Sequence, residues 1–155
     1  MRYPAMLIAL LLPACGEGLQ GIAVPPPLDF ARIERPKSPN TALAAPEGFQ
    51  PPPDIVTRPY EVSAARLYAA VSAVAAAQPR TFPLKAFDDR LQAHFVARST
   101  AIGFPDLIAV QAFADGPDRS TVALWSRSVY GYSDFGVNRR RVAAWLAALD
   151  AKVGG

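Results

Sequence analysis

The chain has one cysteine and one histidine in 155 residues, and those two scarcities exclude a good deal of chemistry. Cys15 has no partner for an intramolecular disulfide, and His94 has no second imidazole or thiol with which to build a structural zinc site. Charge is modest, with 16 basic residues against 13 acidic ones. Such a balance does not favour nucleic-acid binding, which needs clustered Lys and Arg beside exposed aromatics. No apolar run approaches the roughly 20 residues that span a bilayer. No G-x-S-x-G elbow is present. Asp88-Asp89 and the Asp115/Asp118 pair fall in turn sequences, where Asp serves local hydrogen bonds, and neither has the spacing of an EF-hand. No nucleophile–base pair and no metal set can be assembled, so an enzyme is not expected, and neither is a cofactor.

What the chain does have begins at its N-terminus. Arg2 is followed by an unbroken apolar run, Ala5 to Leu12, and then by Leu12-Pro13-Ala14-Cys15. This reads as a signal peptide over residues 1–14, with Cys15 acylated to become the new N-terminus. An ordinary signal peptide cut nearby, with Cys15 incidental, is the competing reading. Acylation would also remove a lone thiol from an oxidising compartment. Two or more acyl chains give stable anchoring. The expectation is a protein held to a membrane by its N-terminal lipid, on the periplasmic face. Gly16 follows the cysteine, and no Asp stands there to retain the protein at the inner membrane, so the outer membrane is favoured.

The prolines then divide the chain: ten of the 16 fall between residues 16 and 60. Residues 15–27 read as a tether, and residues 28–60 as a Pro-rich segment that packs on the domain through Phe30, Ile33 and Leu43. This region is expected to build neither long helices nor central strands. From residue 61 the pattern changes. Val62 to Gln78 is Ala-rich with Ser63 as N-cap, and Leu67, Val71 and Val74 lie on one helical stripe. Four strand-like segments follow, at Arg80–Ala86, Leu91–Thr100, Leu107–Phe113 and Thr121–Tyr130, separated by turn signals. In the second, Gln92, His94 and Arg98 alternate with apolar residues, which predicts one wet or partner-facing side. A last helix runs from about Gly136 to Lys152, burying Val142, Trp145, Leu146 and Leu149. The expected architecture is α+β: helix, four-stranded antiparallel sheet, helix, in two layers over residues 61–152.

One segment is rich in specific polar groups: Ser126-Arg127-Ser128, then Gly131-Tyr132-Ser133-Asp134, then Gly136-Val137-Asn138-Arg139-Arg140-Arg141. Upstream stand Asp29-Phe30, Arg35-Pro36-Lys37-Ser38-Pro39-Asn40 and Leu43-Ala44-Ala45-Pro46. Together they resemble the bacterial and plastid family called domain of unknown function 1499, over about residues 28–150. Many relatives carry cysteines beside the Pro-Asn step; here Thr41 follows Asn40, which excludes a thiol role. The resemblance implies that the Pro-rich region is partly structural, and it implies no activity.

Two readings of the C-terminal motif compete. In the first, Ser133 or Asp134 caps the helix, with Asp134 paired to Arg127 or Arg141. Alternatively, Arg127, Ser133, Asp134, Asn138 and Arg141 form an anion or partner site at the helix start. Trp125, Tyr130, Tyr132 and Phe135 read as packing, or else as a pocket wall or an interface hot spot. The expected function is a non-catalytic binding module that docks an envelope protein through the sheet face bearing His94 and Arg98 and the Arg127–Arg141 corner. The alternative is a domain that holds a small anionic or lipid ligand in a cavity between sheet and helices.

Overall fold

In the computed structural model, which describes residues 18–154, the first helix forms where the apolar stripe places it. Helix α1 spans Ala64–Ala76, and the Ser63 hydroxyl accepts a hydrogen bond from the Arg66 amide at 3.4 Å. Leu67, Val71 and Val74 face inward, and Pro79 blocks continuation. Helix α2 spans Val137–Val153 and buries Val142, Trp145, Leu146 and Leu149, while Arg139 and Arg140 are exposed. Residues 1–14, read above as a signal peptide, and Cys15 lie outside the described residues.

The sheet differs from expectation. It has six strands, not four, and it is mixed, not antiparallel. The strands are β1 (Thr41–Pro46), β2 (Ile55–Thr57), β3 (Thr81–Phe87), β4 (Gln92–Arg98), β5 (Pro105–Ala114) and β6 (Ser120–Ser128), in the spatial order β2-β1-β6-β5-β4-β3. The last four are the strands read from the sequence. The first two come from the Pro-rich region, and β1 lies inside the sheet. The reason is local: Thr41 to Ala45 contains no proline, so its amides can join a ladder, and Leu43 pairs with Trp125 in register. Pro39 and Pro51-Pro52-Pro53 fall in the flanking connections. Strand β2, parallel to β1, is a three-residue edge. The class remains α+β.

Both helices cover one face of the sheet. Their core includes Leu67, Val71, Phe95, Val110, Trp145 and Leu149, and the Phe95 and Trp145 rings meet edge-to-face at 6.0 Å. The opposite face has its own core, in which Phe30 and Ile33 cover Leu43, Ala109, Ala123 and Trp125. Upstream of these, residues 18–28 form a strap across β4. Leu28 is bonded through its N–H and C=O to the Gln92 side chain at 2.7 and 2.8 Å. The Arg98 guanidinium donates to the carbonyls of Gly18 and Gln20. The expectation of a wet face on β4 is therefore overturned. Every residue of β4 is buried, His94 and Arg98 included, because the strap lies over them. Residues 18–27, read as tether, are packed on the domain.

Candidate functional site

Strand β6 ends at Ser128, and a turn of eight residues leads to α2. Asp134 closes that turn. Its carboxylate accepts hydrogen bonds from the amides of Gly136 (2.9 Å) and Asn138 (2.7 Å), satisfying donors that a helix start leaves free. Gly136 sits at φ 78°, in the left-handed region that favours glycine. The Ser133 hydroxyl accepts from the Phe135 amide at 3.3 Å. The carboxylate of Asp134 thus occupies the position an incoming anion would need.

Asn138 is the centre of the arrangement and is fully buried. Its Oδ1 accepts from the Ser126 hydroxyl at 2.5 Å and from the Arg141 guanidinium at 2.7 Å. Its Nδ2 lies 2.8–3.0 Å from the Asn40 carbonyl, the Ser128 hydroxyl and the Asp134 carboxylate, so two hydrogens are shared among three acceptors. Arg141 reaches on to Asp106 at 2.6 Å, a well-covered charge pair. Asn40, also buried, donates through Nδ2 to the Gly131 carbonyl at 2.7 Å and thereby holds the turn from the other side. The Pro-Asn step and the C-terminal motif, 98 residues apart at Asn40 and Asn138, are one hydrogen-bonded unit.

Of the five residues grouped from the sequence, four meet here: Ser133, Asp134, Asn138 and Arg141. Arg127 does not. Alternation along β6 sends Ser126 and Ser128 toward α2 and Arg127 to the opposite face, where it is exposed beside His94. Arg141 takes Asp106 as its ionic partner, not Asp134. Asn40, Asp106, Ser126 and Ser128 were not singled out as site residues. The i, i+2 spacing of the two serines was the available signal for a shared face.

The aromatics also separate. Trp125 packs in the second core, as a packing reading requires. Tyr130, Tyr132 and Phe135 do not pack there; they project outward, Tyr132 at 73% and Phe135 at 87% exposure. Phe135 adopts φ 52°, unusual for a bulky residue, and the Arg140 guanidinium donates to its carbonyl at 2.9 Å. Tyr130 leans on Phe104, their ring centroids 5.9 Å apart.

Several open clefts mark the surface. An open cleft of about 420 Å³ lies between the Arg35–Thr41 segment and the start of α2, with Lys37 and Arg139 on its walls and Arg35 paired to Asp54. A smaller one, about 60 Å³, lies beneath Pro25, Pro26 and Leu28, against His94 and Trp125. The centre of the space between sheet and helices is occupied by Leu67, Val71, Phe95, Trp145 and Leu149, and at its edge an open cleft of about 470 Å³ lies between Tyr68, Ser72 and Ala76 of α1 and Pro83 to Ala86 of β3. Among the described residues, no three His, Cys, Asp or Glu side chains are placed to hold a metal, and no helix is long and apolar enough to cross a membrane.

A family model described as protein of unknown function (DUF1499) matches residues 33–149. The chain belongs to the DUF1499 family. The match spans both motifs of the bonded unit, from before the Pro-Asn step to Leu149 within α2. No curated protein matches the chain. Among solved structures, the crystal structure of the di-domain ARO/CYC BexL from the BE-7585A biosynthetic pathway is similar at 12% identity and a TM-score of 0.48. The similarity covers 63% of this chain and 45% of that one, so the chain spans less than half of that protein.

His94 gives this DUF1499 domain an acid-sensitive point. Burial, and then the Arg127 guanidinium, lower its pKa below the usual 6.5. Lys85 is its register partner on β3, Gln92 bonds its Nε2, and the Phe87 ring stacks edge-on. The unfolded chain binds a proton near pH 6.5 that the folded chain excludes. The contribution is therefore complete above that pH and is lost as pH falls toward the folded pKa. Urea titrations between about pH 7 and 5 are expected to show stability falling, and His94→Gln to flatten that part of the acid limb. An unchanged slope in the variant would assign the acid sensitivity to other groups.

Proposed function

We propose that the protein is a lipid-anchored, non-catalytic interaction module of the cell envelope, held through acylated Cys15 and presenting the turn between β6 and α2 as its contact surface. The observation that carries the reading is the contrast within that turn. Its polar groups are bonded to one another through Asn138, Asn40 and Asp134, while Tyr132 and Phe135 stand exposed on that braced base. Aromatic side chains held outward on a rigid support are the usual anchors of an interface. Groups already engaged in internal hydrogen bonds are poorly placed to move protons or bind a small anion. Between sheet and helices the centre is filled, and the cleft at the α1–β3 edge is open to solvent, which favours a surface contact over an enclosed ligand cavity.

The anchor is tested by growing a Gram-negative host that expresses the full chain with an alkyne-bearing fatty acid. The wild type is expected to take up the label and to fractionate with outer membranes. Cys15→Ser is expected to carry no label. A wild-type chain that is cleaved and left unlabelled would overturn the lipid-anchor reading.

A further inference from the structure

Resting on the lipid-anchor reading, we infer that one end of the domain lies directly on the lipid surface, with Leu19, Ile102, Tyr130, Tyr132 and Phe135 in the headgroup layer. Three independent features of the fold point to the same end.

The first is where the chain enters. The Gly18 carbonyl is fixed to Arg98, the last residue of β4, at 3.0 Å. Only Gly16 and Glu17 separate Gly18 from Cys15, a path of three residue steps. Fully extended, they reach about 11 Å, at 3.3–3.6 Å per residue. An acylated Cys15 sits at the membrane surface, so the Arg98 end of the sheet cannot stand away from it. The packed strap leaves no spacer.

The second is where the exposed apolar side chains lie. The turn after β4 carries Ile102, and Arg98 bonds its Gly103 carbonyl. The turn after β6 begins beside it, since Ser128 pairs opposite Asp106 and Val129 bonds the Pro105 carbonyl. That turn carries Tyr130, Tyr132 and Phe135. Leu19 belongs to the strap's first turn at the same end. Exposed tyrosine and phenylalanine at headgroup level are the pattern of an interfacial contact.

The third is charge. At this end Asp134 caps α2, Asp106 holds Arg141 and Asp54 holds Arg35. Lys37 and Arg139 have no ion pair among the described residues, and both line the cleft beside the aromatic turn. The opposite end is acidic. It brings together Glu47, Glu61, Asp88, Asp89, Asp115, Asp118 and Asp150, against Arg58, Arg66, Arg90, Arg119 and Lys152. A domain so polarised settles on an anionic bilayer with its cationic, aromatic end down.

The test uses the full chain purified from membranes, its acylation read by intact mass, in vesicles of anionic phosphatidylglycerol whose acyl chains carry bromine. Trp125 and Trp145 are buried, so the wild type provides a nearly unquenched background. Phe135→Trp adds an indole at a position that already holds an exposed bulky aromatic, and Tyr132→Trp is a second probe with an ordinary backbone. The expected result is that most of the added emission is lost in brominated vesicles for both probes, and that less is lost in neutral vesicles. An acylated chain that floats with the vesicles while both added indoles stay bright would overturn the docking and leave the anchor standing. That outcome would assign the aromatic turn to a protein partner. A chain without acyl mass whose probes are quenched would support the docking and overturn the anchor. One with neither acyl mass nor quenching would overturn both.

Discussion

Asn138→Ala is expected to lower the melting temperature by about 10 °C, the largest effect of any polar substitution considered. The variant removes the acceptor of the Ser126 and Arg141 hydrogens and the donor to the Asn40 carbonyl. Each buried group left unpaired costs about 1–3 kcal/mol, and a total near 3 kcal/mol allows for partial relaxation. For a domain of this size each kcal/mol moves the midpoint by about 3–5 °C. The loss also uncouples two motifs. With the Asn138 side chain gone, the turn retains the Asp134 cap, the Asn40–Gly131 bond and the local bonds at Val129, Ser133 and Phe135, but loses its tie to the buried Ser126 and Arg141. Arg127→Ala is the matched control. It removes a cation from the same sequence motif, but one exposed on the other face of β6, and a change within about 0.5 kcal/mol is expected. Thermal and urea melts of both variants check this. A shift below about 2 °C for Asn138→Ala would mean that the bonded unit does not brace the turn.

That contrast between Asn138 and Arg127 shows where the sequence could be read and where it could not. The helix with Leu67, Val71 and Val74 and the strands from Thr81 onward were legible because 3.6-residue and two-residue periods sat between clear turn signals. The placing of Arg127 was legible too, since a single step along a strand exchanges faces; grouping it with Arg141 by proximity in sequence ignored that step. Strand β1 was hidden by counting prolines over a block, when the ladder depends on whether particular amides exist. Thr41 to Ala45 has all of them. The burial of β4 was not legible at all. Gln92, His94 and Arg98 look the same in sequence whether they face water or a strap, and the strap residues that bond them lie 64 to 80 positions away. Nor did local pattern reveal that Asn40 completes the helix start, a contact set by the β1–β6 register.

The same geometry joins the brace to the membrane reading. Asn138 fixes the aromatic turn from one side of the sheet, and Arg98 fixes the strap from the other. Both act at the end where the chain enters. On the proposed reading, the aromatic turn and the start of the strap at Gly18 are thereby held at one end of the domain, each by its own set of buried hydrogen bonds.

Arg98→Met is the second large effect expected, and it tests that relation directly. Arg98 is buried and has no carboxylate partner among the described residues; its guanidinium donates to the carbonyls of Gly18, Gln20 and Gly103. Methionine keeps much of the apolar stem and removes every donor. Hydrogen bonds to a charged group contribute about 1.5–3 kcal/mol each, offset here because the released carbonyls and strap regain water. A net loss near 2 kcal/mol should fall mostly on the strap, whose other clamp, Gln92 on Leu28, remains. Cleavage at Leu19 or Ile22 by a protease specific for apolar residues is expected to quicken by about 30-fold, in step with the opening equilibrium. The melting temperature should fall by only a few degrees, since both hydrophobic cores stay intact. In vesicles the free tether then runs from Cys15 to Leu28, about 40 Å when extended, in place of about 11 Å. Quenching of the indole in Phe135→Trp should weaken accordingly, because the aromatic turn can leave the bilayer. If cleavage stays slow, the contacts of Pro25, Pro26 and Leu28 hold the strap without Arg98. If cleavage quickens and quenching does not weaken, the aromatic and basic end binds lipid by its own affinity, and the short spacing to Cys15 is not what places it there.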